Sequence, residues 1–354
     1  MKHIVKYTLA LVLVVSSTVT VHTAKAQDFV SILTCPFGCG VMEGNTIFGN
    51  VVARSGGNLF IAAQETPGYM YNVRAMTEQR RWKHTVFGTE DTIIQLALHG
   101  GTEDVAEYLP DPIPIKFKLL HGEAYWSQGK FFVTTDPEIK TIADMKGKRV
   151  SVGLKGQSDW GVYPRLFLKH AYGIDRSNTD IRLLNPGGLT QQLIDGTTDV
   201  CVTGYGTDPS QGFHILSGPL RKLEASGKKL YYIPMDQWAI DKMNEKFGTT
   251  WLGMTIKAGT LPHQDEDFLS GFNRGYKAVH PEFPEQLAYD YVIATHTHLE
   301  EMSKLNALWK VLTEDMMVDG LSEENTHPGA IRAYKDLGIW DKRKNFVPVT
   351  YPEM

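Results

Sequence analysis

Strand-like and helical runs alternate through most of this chain, and that alternation limits its fold more than any other feature. Phe29 to Leu33, Leu59 to Ala63 and Thr85 to Gly88 read as strands. Each is followed by a helical run: about Ile47 to Arg54, one reaching about Arg81, and Glu90 to His99. Such β-then-α order predicts a parallel sheet with ligand groups at the carboxyl ends of its strands. Three loops occupy that position: Cys35–Gly44, Thr66–Tyr69 and Gly88–Asp91. The first has glycines after a strand, and Glu65 stands near the end of the second strand, as in dinucleotide-binding folds. Its spacing is G-x-G-x₃-G, however, not G-x-G-x-x-G.

A second cluster of signals lies between Ile139 and Trp160. Arg149-Val150-Ser151-Val152-Gly153 alternates as a half-buried strand does. Lys155-Gly156-Gln157-Ser158 then opens a helix that begins near Asp159. The N–H groups at a helix start lack intrahelical partners and the helix dipole favours negative charge there, so the stretch is suited to an anionic group. Further strands are expected at Ile115–Leu120, Lys130–Thr134, Ile181–Leu184, Lys229–Pro234 and Leu252–Lys257. Helices are expected at Gly161–Tyr172, after Pro186, and over Phe268–Val279, Phe283–Ala294 and Met302–Met317.

At 354 residues two domains are expected, and 42% hydrophobic with 21% charged residues is a globular balance. The first 26 residues read as a secretory leader: Lys2 and Lys6, an apolar run from Leu9 extended to Val21, then Ala24-Lys25-Ala26 as an A-x-A site. The apolar run falls short of the ~20 residues that span a bilayer, so cleavage after Ala26 and a soluble protein outside the cytoplasm are expected. No Cys stands at the cleavage point to take a lipid. That compartment does not normally supply nicotinamide cofactors, and no cofactor is expected. The net charge of −4 becomes more negative without Lys2, Lys6 and Lys25, which gives no general attraction to nucleic acid or anionic membrane.

Three cysteines remain. An oxidising compartment allows Cys35 and Cys39 to pair and clip a small loop, or they stay as thiols. Their C-x₃-C spacing is not the C-x-x-C of redox enzymes. Cys201, in an apolar run, reads as a core residue. His296-x-His298 has no third metal ligand nearby in sequence, so no metal is expected. No H-E-x-x-H, Walker or G-x-S-x-G motif is present, so no enzyme activity is expected.

Ile139-x-Thr-Ile-Ala-Asp-Met-Lys-Gly-Lys-Arg-Val-Ser-Val-Gly153 resembles the central signature of periplasmic solute-binding proteins of the type II fold. His327-Pro328-Gly329-Ala330-Ile331-Arg332-Ala333-Tyr334-Lys335-Asp336-Leu337-Gly338 resembles the C-terminal signature of one subgroup, the TAXI family of solute receptors for TRAP transporters. Phe87-Gly88-Thr89-Glu90-Asp91 through Ala97-Leu98-His99-Gly100, and Gln192 through Val200, are similar to further segments of that family. The resemblance implies a two-lobed α/β fold, each lobe a mostly parallel sheet flanked by helices, with ligand in the interlobe cleft. Lobe one would combine residues 28–132 with 255–354, and lobe two would be 133–254, with crossings near 131–135 and 252–258.

The resemblance further implies a periplasmic receptor, with no catalytic role, that passes a small organic acid or amino acid to the membrane subunits of a TRAP transporter. A monomer is expected. An ABC transporter or a membrane sensor as recipient, and less readily an extracytoplasmic enzyme, are the alternatives. Within such a cleft, backbone N–H groups at Gly156–Ser158 and near Gly68–Tyr69 would hold an anionic or carbonyl group. Tyr69, Trp160 and Tyr205 would wall the ligand, and Thr203-Gly204-Tyr205-Gly206 would admit it closely. Thr66, Gln157, Ser158 and Thr203 would supply side-chain hydrogen bonds. Glu90 and Asp91, where they reach the cleft, would favour a donor or cationic group on the ligand.

Overall fold

The computed structural model describes residues 27–102, 105–123, 127–208 and 213–345. The expected leader lies outside these residues. The first three strands, β1 (Asp28–Leu33), β2 (Leu59–Gln64) and β3 (Thr85–Glu90), alternate with α1 (Gly40–Arg54), α2 (Tyr69–Ala75) and α3 (Asp91–Leu98). β4 (Lys118–Gly122) completes this part, and β5 (Ser127–Thr134) starts a second sheet. There follow β6 (Arg149–Val152), α4 (Tyr163–Leu166), β7 (Asp180–Leu183), α5 (Pro186–Ile194), β8 (Val200–Asp208), β9 (Phe213–Leu216) and α6 (Gly218–Ala225). β10 (Tyr231–Ile233), α7 (Gln237–Phe247), β11 (Leu252–Ile256) and β12 (Phe268–Asn273) end the second unit. β13 (Gly275–Val279) then precedes α8 (Glu285–Thr297), α9 (Leu299–Leu305), α10 (Glu314–Val318) and α11 (Pro328–Asp336).

The architecture is α/β, with two mixed sheets flanked by helices. The first has the order β2-β1-β3-β13-β4, and the second β11-β12-β5-β8-β6-β7 with β10 on β5 and β9 on β8. Neither sheet is mostly parallel. β1 pairs in parallel with β2 and β3, and β6 with β7 and β8, but every pairing of β4, β5, β12 or β13 within the ladders is antiparallel. Those four strands form the crossings. The chain leaves the first sheet at β4, enters the second at β5, and returns from β12 to β13 through Arg274 alone. β4 pairs with β13 and β5 with β12, so the two crossing segments are antiparallel neighbours on both sides. The chain therefore changes sheets between β4 and β5 and at Arg274, not near 131–135 and 252–258, and residues 255–273 stay with the second sheet.

Phe268 to Val279 is thus strand, where apolar spacing predicts helix. All but one of the residues in β12 and β13 are buried. A strand covered on both faces lacks the polar phase that separates period 2 from period 3.6. The first helix also differs from expectation, beginning at Gly40 rather than near Ile47. Gly44 and Gly49 sit within it for close packing. The Trp309 indole Nε1 donates to the Gly44 carbonyl at 3.0 Å, and a Cβ on Gly49 would lie 2.5 Å from the Ile61 carbonyl oxygen.

The C-terminal block His327–Gly338 seats α11 on α8. His327 is buried, its Nε2 donates to the Phe283 carbonyl at 2.9 Å, and its Nδ1 accepts from Gly329 N at 3.3 Å. A Cβ on Gly329 would come within 2.0 Å of the Glu285 carbonyl oxygen. These residues act by packing and do not line the cavity described next.

Candidate functional site

A cavity of about 410 Å³ lies between the two sheets, within the range usual for small-molecule sites. All three loops at the carboxyl ends of the first strands reach it, through Gly38–Val41, Gly68–Tyr69 and Glu90. The second unit contributes Gln157–Trp160, Gly204–Gly206 and the turn leading into α6. Of the residues expected from sequence, Gly68, Tyr69, Glu90, Gln157, Ser158, Trp160, Gly204 and Tyr205 line the cavity. Thr66, Asp91, Gly156 and Thr203 do not.

Each of those four has another place. Thr66 Oγ1 donates to the Thr34 carbonyl at 2.9 Å and accepts from Gly68 N at 3.3 Å, so it shapes the loop and occupies the Gly68 N–H. Asp91 is fully buried; its Oδ1 accepts from Thr92 N at 2.8 Å and its Oδ2 lies 3.3 Å from Arg274 Nε, beside the return crossing. Gly156 abuts Pro67 of the other unit, where a Cβ would come 2.5 Å from the Pro67 carbonyl oxygen. Thr203 is fully buried on β8.

The helix that opens at Ser158 is unusual. Residues Ser158–Val162 and Phe167–Ala171 are π-helical, with α4 between them. Such turns are rare and concentrate at functional sites. Gln157 Oε1 accepts from Leu154 N at 3.0 Å, so this side chain braces its own loop. Ser158 is 2% exposed, lines the cavity, and has no hydrogen-bond partner for its hydroxyl among the described residues. A hydroxyl on a cavity wall with no protein partner can donate to or accept from a guest.

Glu90 ends β3 and is 1% exposed. The Tyr163 hydroxyl, from the second unit, donates to Glu90 Oε2 at 2.6 Å. Burial first, and then the Glu90 charge, hold the Tyr163 hydroxyl protonated far above its usual range. Tyr69 joins the cavity to the crossing: its hydroxyl donates to Glu123 Oε2, and Glu123 is ion-paired with the buried Lys277. Gly88 makes room for this ring, since a Cβ there would lie 2.7 Å from Tyr69 Cε1. Tyr205 packs edge-on against Phe272, with ring centroids 5.7 Å apart.

Sequence reading placed the Cys35–Gly44 loop at a strand's carboxyl end without naming a ligand residue in it, and did not single out the α6 end of the cavity. Cys35 and Cys39 are joined in a disulfide, and Cys39 is the N-cap of α1, whose first residues Gly40 and Val41 line the cavity. Ser217-Gly218-Pro219 was detectable as a cap followed by an early proline. Its Ser217 Oγ accepts from Leu220 N at 3.2 Å. Helix starts from both units therefore converge on one cavity, with the Glu90 carboxylate also on its wall. His296 and His298 are elsewhere: His296 Nε2 is 2.8 Å from Glu314 Oε1, and His298 Nδ1 is 3.7 Å from Glu301 Oε2. Among the described residues no group of three or more His, Cys, Asp or Glu is placed to hold a metal, and no helix is long and apolar enough to cross a membrane.

Solved structures similar to this chain include the periplasmic aliphatic sulphonate binding protein SsuA from Escherichia coli, at 13% identity over 88% of this chain and 84% of that one (TM-score 0.40). MatC from Rhodopseudomonas palustris, solved with bound malate, is 10% identical over 90% of this chain and 98% of that one (TM-score 0.45). PhnD1 from Prochlorococcus marinus, in complex with methylphosphonate, is 7% identical over 88% and 90% (TM-score 0.45). The model of the NMT1-like family matches residues 122–338, more than half of the chain and including both crossings, the Ser158 helix and the α11 block. The chain belongs to the NMT1-like family.

Proposed function

We propose that this protein is an extracytoplasmic solute receptor that captures a small organic acid or amino acid between its two lobes and delivers it to a TRAP transporter of the TAXI class. The observation that carries the reading is the cavity between the two sheets, on which helix starts from both lobes converge together with the unpartnered Ser158 hydroxyl. Helix starts favour negative charge, and Ser158 adds a hydroxyl donor. Glu90 on the same wall favours a donor or cation, so an amino acid would satisfy both ends. Because the ligand would touch both lobes, it would bind the closed arrangement better and shift the population towards it.

Delivery to a TRAP system rests on the resemblance of His327–Gly338 to the TAXI signature. Adjacent genes for fused TRAP membrane subunits would support it, and adjacent ABC permease genes would favour the other recipient.

The direct test is mass spectrometry of the small molecules released when purified protein is denatured, followed by a thermal-shift screen of organic acids and amino acids. A ligand at about 100 times its dissociation constant should stabilise the fold by roughly 2.7 kcal/mol, a shift of a few degrees in a protein of this size. Absence of any released acid or amino acid, with no shift across the screen, would overturn the reading. Chemical conversion of the ligand during incubation would instead indicate an enzyme.

A further inference from the structure

One segment of lobe two, Lys155–Arg165, reaches lobe one at three places: Glu90, Pro67–Gly68 and Glu107. Gly156 abuts Pro67 and Gly68, and Tyr163 bonds to Glu90. The two ends of the segment grip a third place. Glu107 lies in lobe one between α3 and β4. Arg165 Nη2 donates to both its carboxylate oxygens, at 3.1 and 2.8 Å, and Lys155 Nζ is 2.6 Å from its Oε1. The Arg165 guanidinium also lies 5.2 Å from the ring centroid of Tyr108, which is buried. One carboxylate of lobe one is thus held by two cations of lobe two, and none of the three residues lines the ligand cavity.

We propose that Glu107, Lys155 and Arg165 form a closure latch that sets the balance between open and closed lobes, and so the affinity for ligand, without touching the ligand. The Arg165 side chain is 13% exposed while Glu107 and Lys155 face solvent. The triad is therefore wet enough to break and re-form. An exposed charge network of this kind shifts an equilibrium by about two- to fivefold and weakens with salt. That range suits a reversible latch. A stronger clamp would hold the empty receptor shut.

This rests on the hinge-bending reading of the two lobes, and the test separates the two. Small-angle scattering of the full mature chain without ligand reads the lobe arrangement directly, whatever the cavity binds. Glu107→Gln should shift the ligand-free protein to a larger radius of gyration, and so should raising sodium chloride from low to high concentration in the wild type. The charge-swapped triple variant Glu107→Lys, Lys155→Glu, Arg165→Glu should return towards the wild-type curve. Gly156→Ala serves as the hinge control, because its methyl wedges the lobes apart independently of the latch. If Gly156→Ala expands the protein while Glu107→Gln and salt leave it unchanged, the latch is wrong and the hinge stands. If none of these expands it, the hinge reading falls and the latch with it.

Discussion

Gly68 and Gly156 meet backbone to backbone across the cleft. A Cβ on Gly68 would lie 2.2 Å from the Gly156 carbonyl oxygen, and one on Gly156 would lie 2.5 Å from that of Pro67. Gly68 also has φ of 132°, which independently favours glycine, whereas Gly156 does not have a positive φ. Gly156→Ala therefore isolates the contact. Overpacking of this kind costs about 1–3 kcal/mol. We expect that cost to fall on the closed arrangement, because parted lobes relieve it. Ligand affinity measured by calorimetry should drop by about that amount while the unfolding midpoint of the empty protein barely moves. Unchanged affinity would mean that ligand does not need this contact.

The ligand's charge can be read from Ser158. If a carboxylate sits at this helix start, its ester or amide should bind about 1.5–3 kcal/mol more weakly. Ser158→Ala should cost less than that, since backbone donors remain. Gly156→Pro should cost more, because the proline ring would press on Pro67 of the other unit and stiffen the loop. A competition assay in which neutral analogues match the acid would reject the assignment.

Much of this site was legible because its parts are local. A strand, a glycine loop and a helix start leave a mark within some fifteen residues, and the three loops on the first strands all reach the cavity. What was not legible depends on distant partners. Asp91 follows Glu90 directly, yet one faces the cavity and the other faces Arg274, some 180 positions away in sequence. Thr66 reads as a ligand hydroxyl until Thr34 is seen beside it. Gly44 reads as a loop residue because the Trp309 ring that requires it lies in another element. Phe268–Val279 fails for a related reason: burial on both faces removes the polar phase that periodicity needs.

The Cys35–Cys39 bridge closes only a short loop, so its entropic contribution should fall below the roughly 3 kcal/mol of a fifteen-residue loop. Its position at the first turn of α1 predicts a larger effect on binding than on stability. Replacing both cysteines with serine should weaken ligand binding several-fold and lower the melting temperature little. In the wild type, alkylation under denaturing, non-reducing conditions should label Cys201 alone. Labelling at all three positions would exclude the bridge, and unaltered affinity in the double variant would exclude its role at the cavity.

His121 gives the fold a built-in sensitivity to acid. It is buried on β4, its Nδ1–H donates to the Gly122 carbonyl at 2.6 Å, and its Nε2 has no hydrogen-bond partner among the described residues. Burial, opposed by that hydrogen bond and aided by the Lys277 charge, pushes its pKa down to about 3. An unfolded histidine titrates near 6.5. Between these values the unfolded chain binds a proton that the folded chain refuses, so stability falls as pH is lowered through the window from about 6.5 towards 3. The slope should be about 1.4 kcal/mol per pH unit. His214, His280 and His327 are also depressed by burial and act in the same direction, as do paired carboxylates such as Asp199 at lower pH. The test is therefore a difference: urea unfolding at pH 7, 6, 5 and 4 for the wild type and His121→Gln. The variant should lose stability less steeply across pH 6 to 4, by about one proton's worth of slope. Parallel curves for the two proteins would show that His121 takes up its proton in the folded state as readily as in the unfolded one.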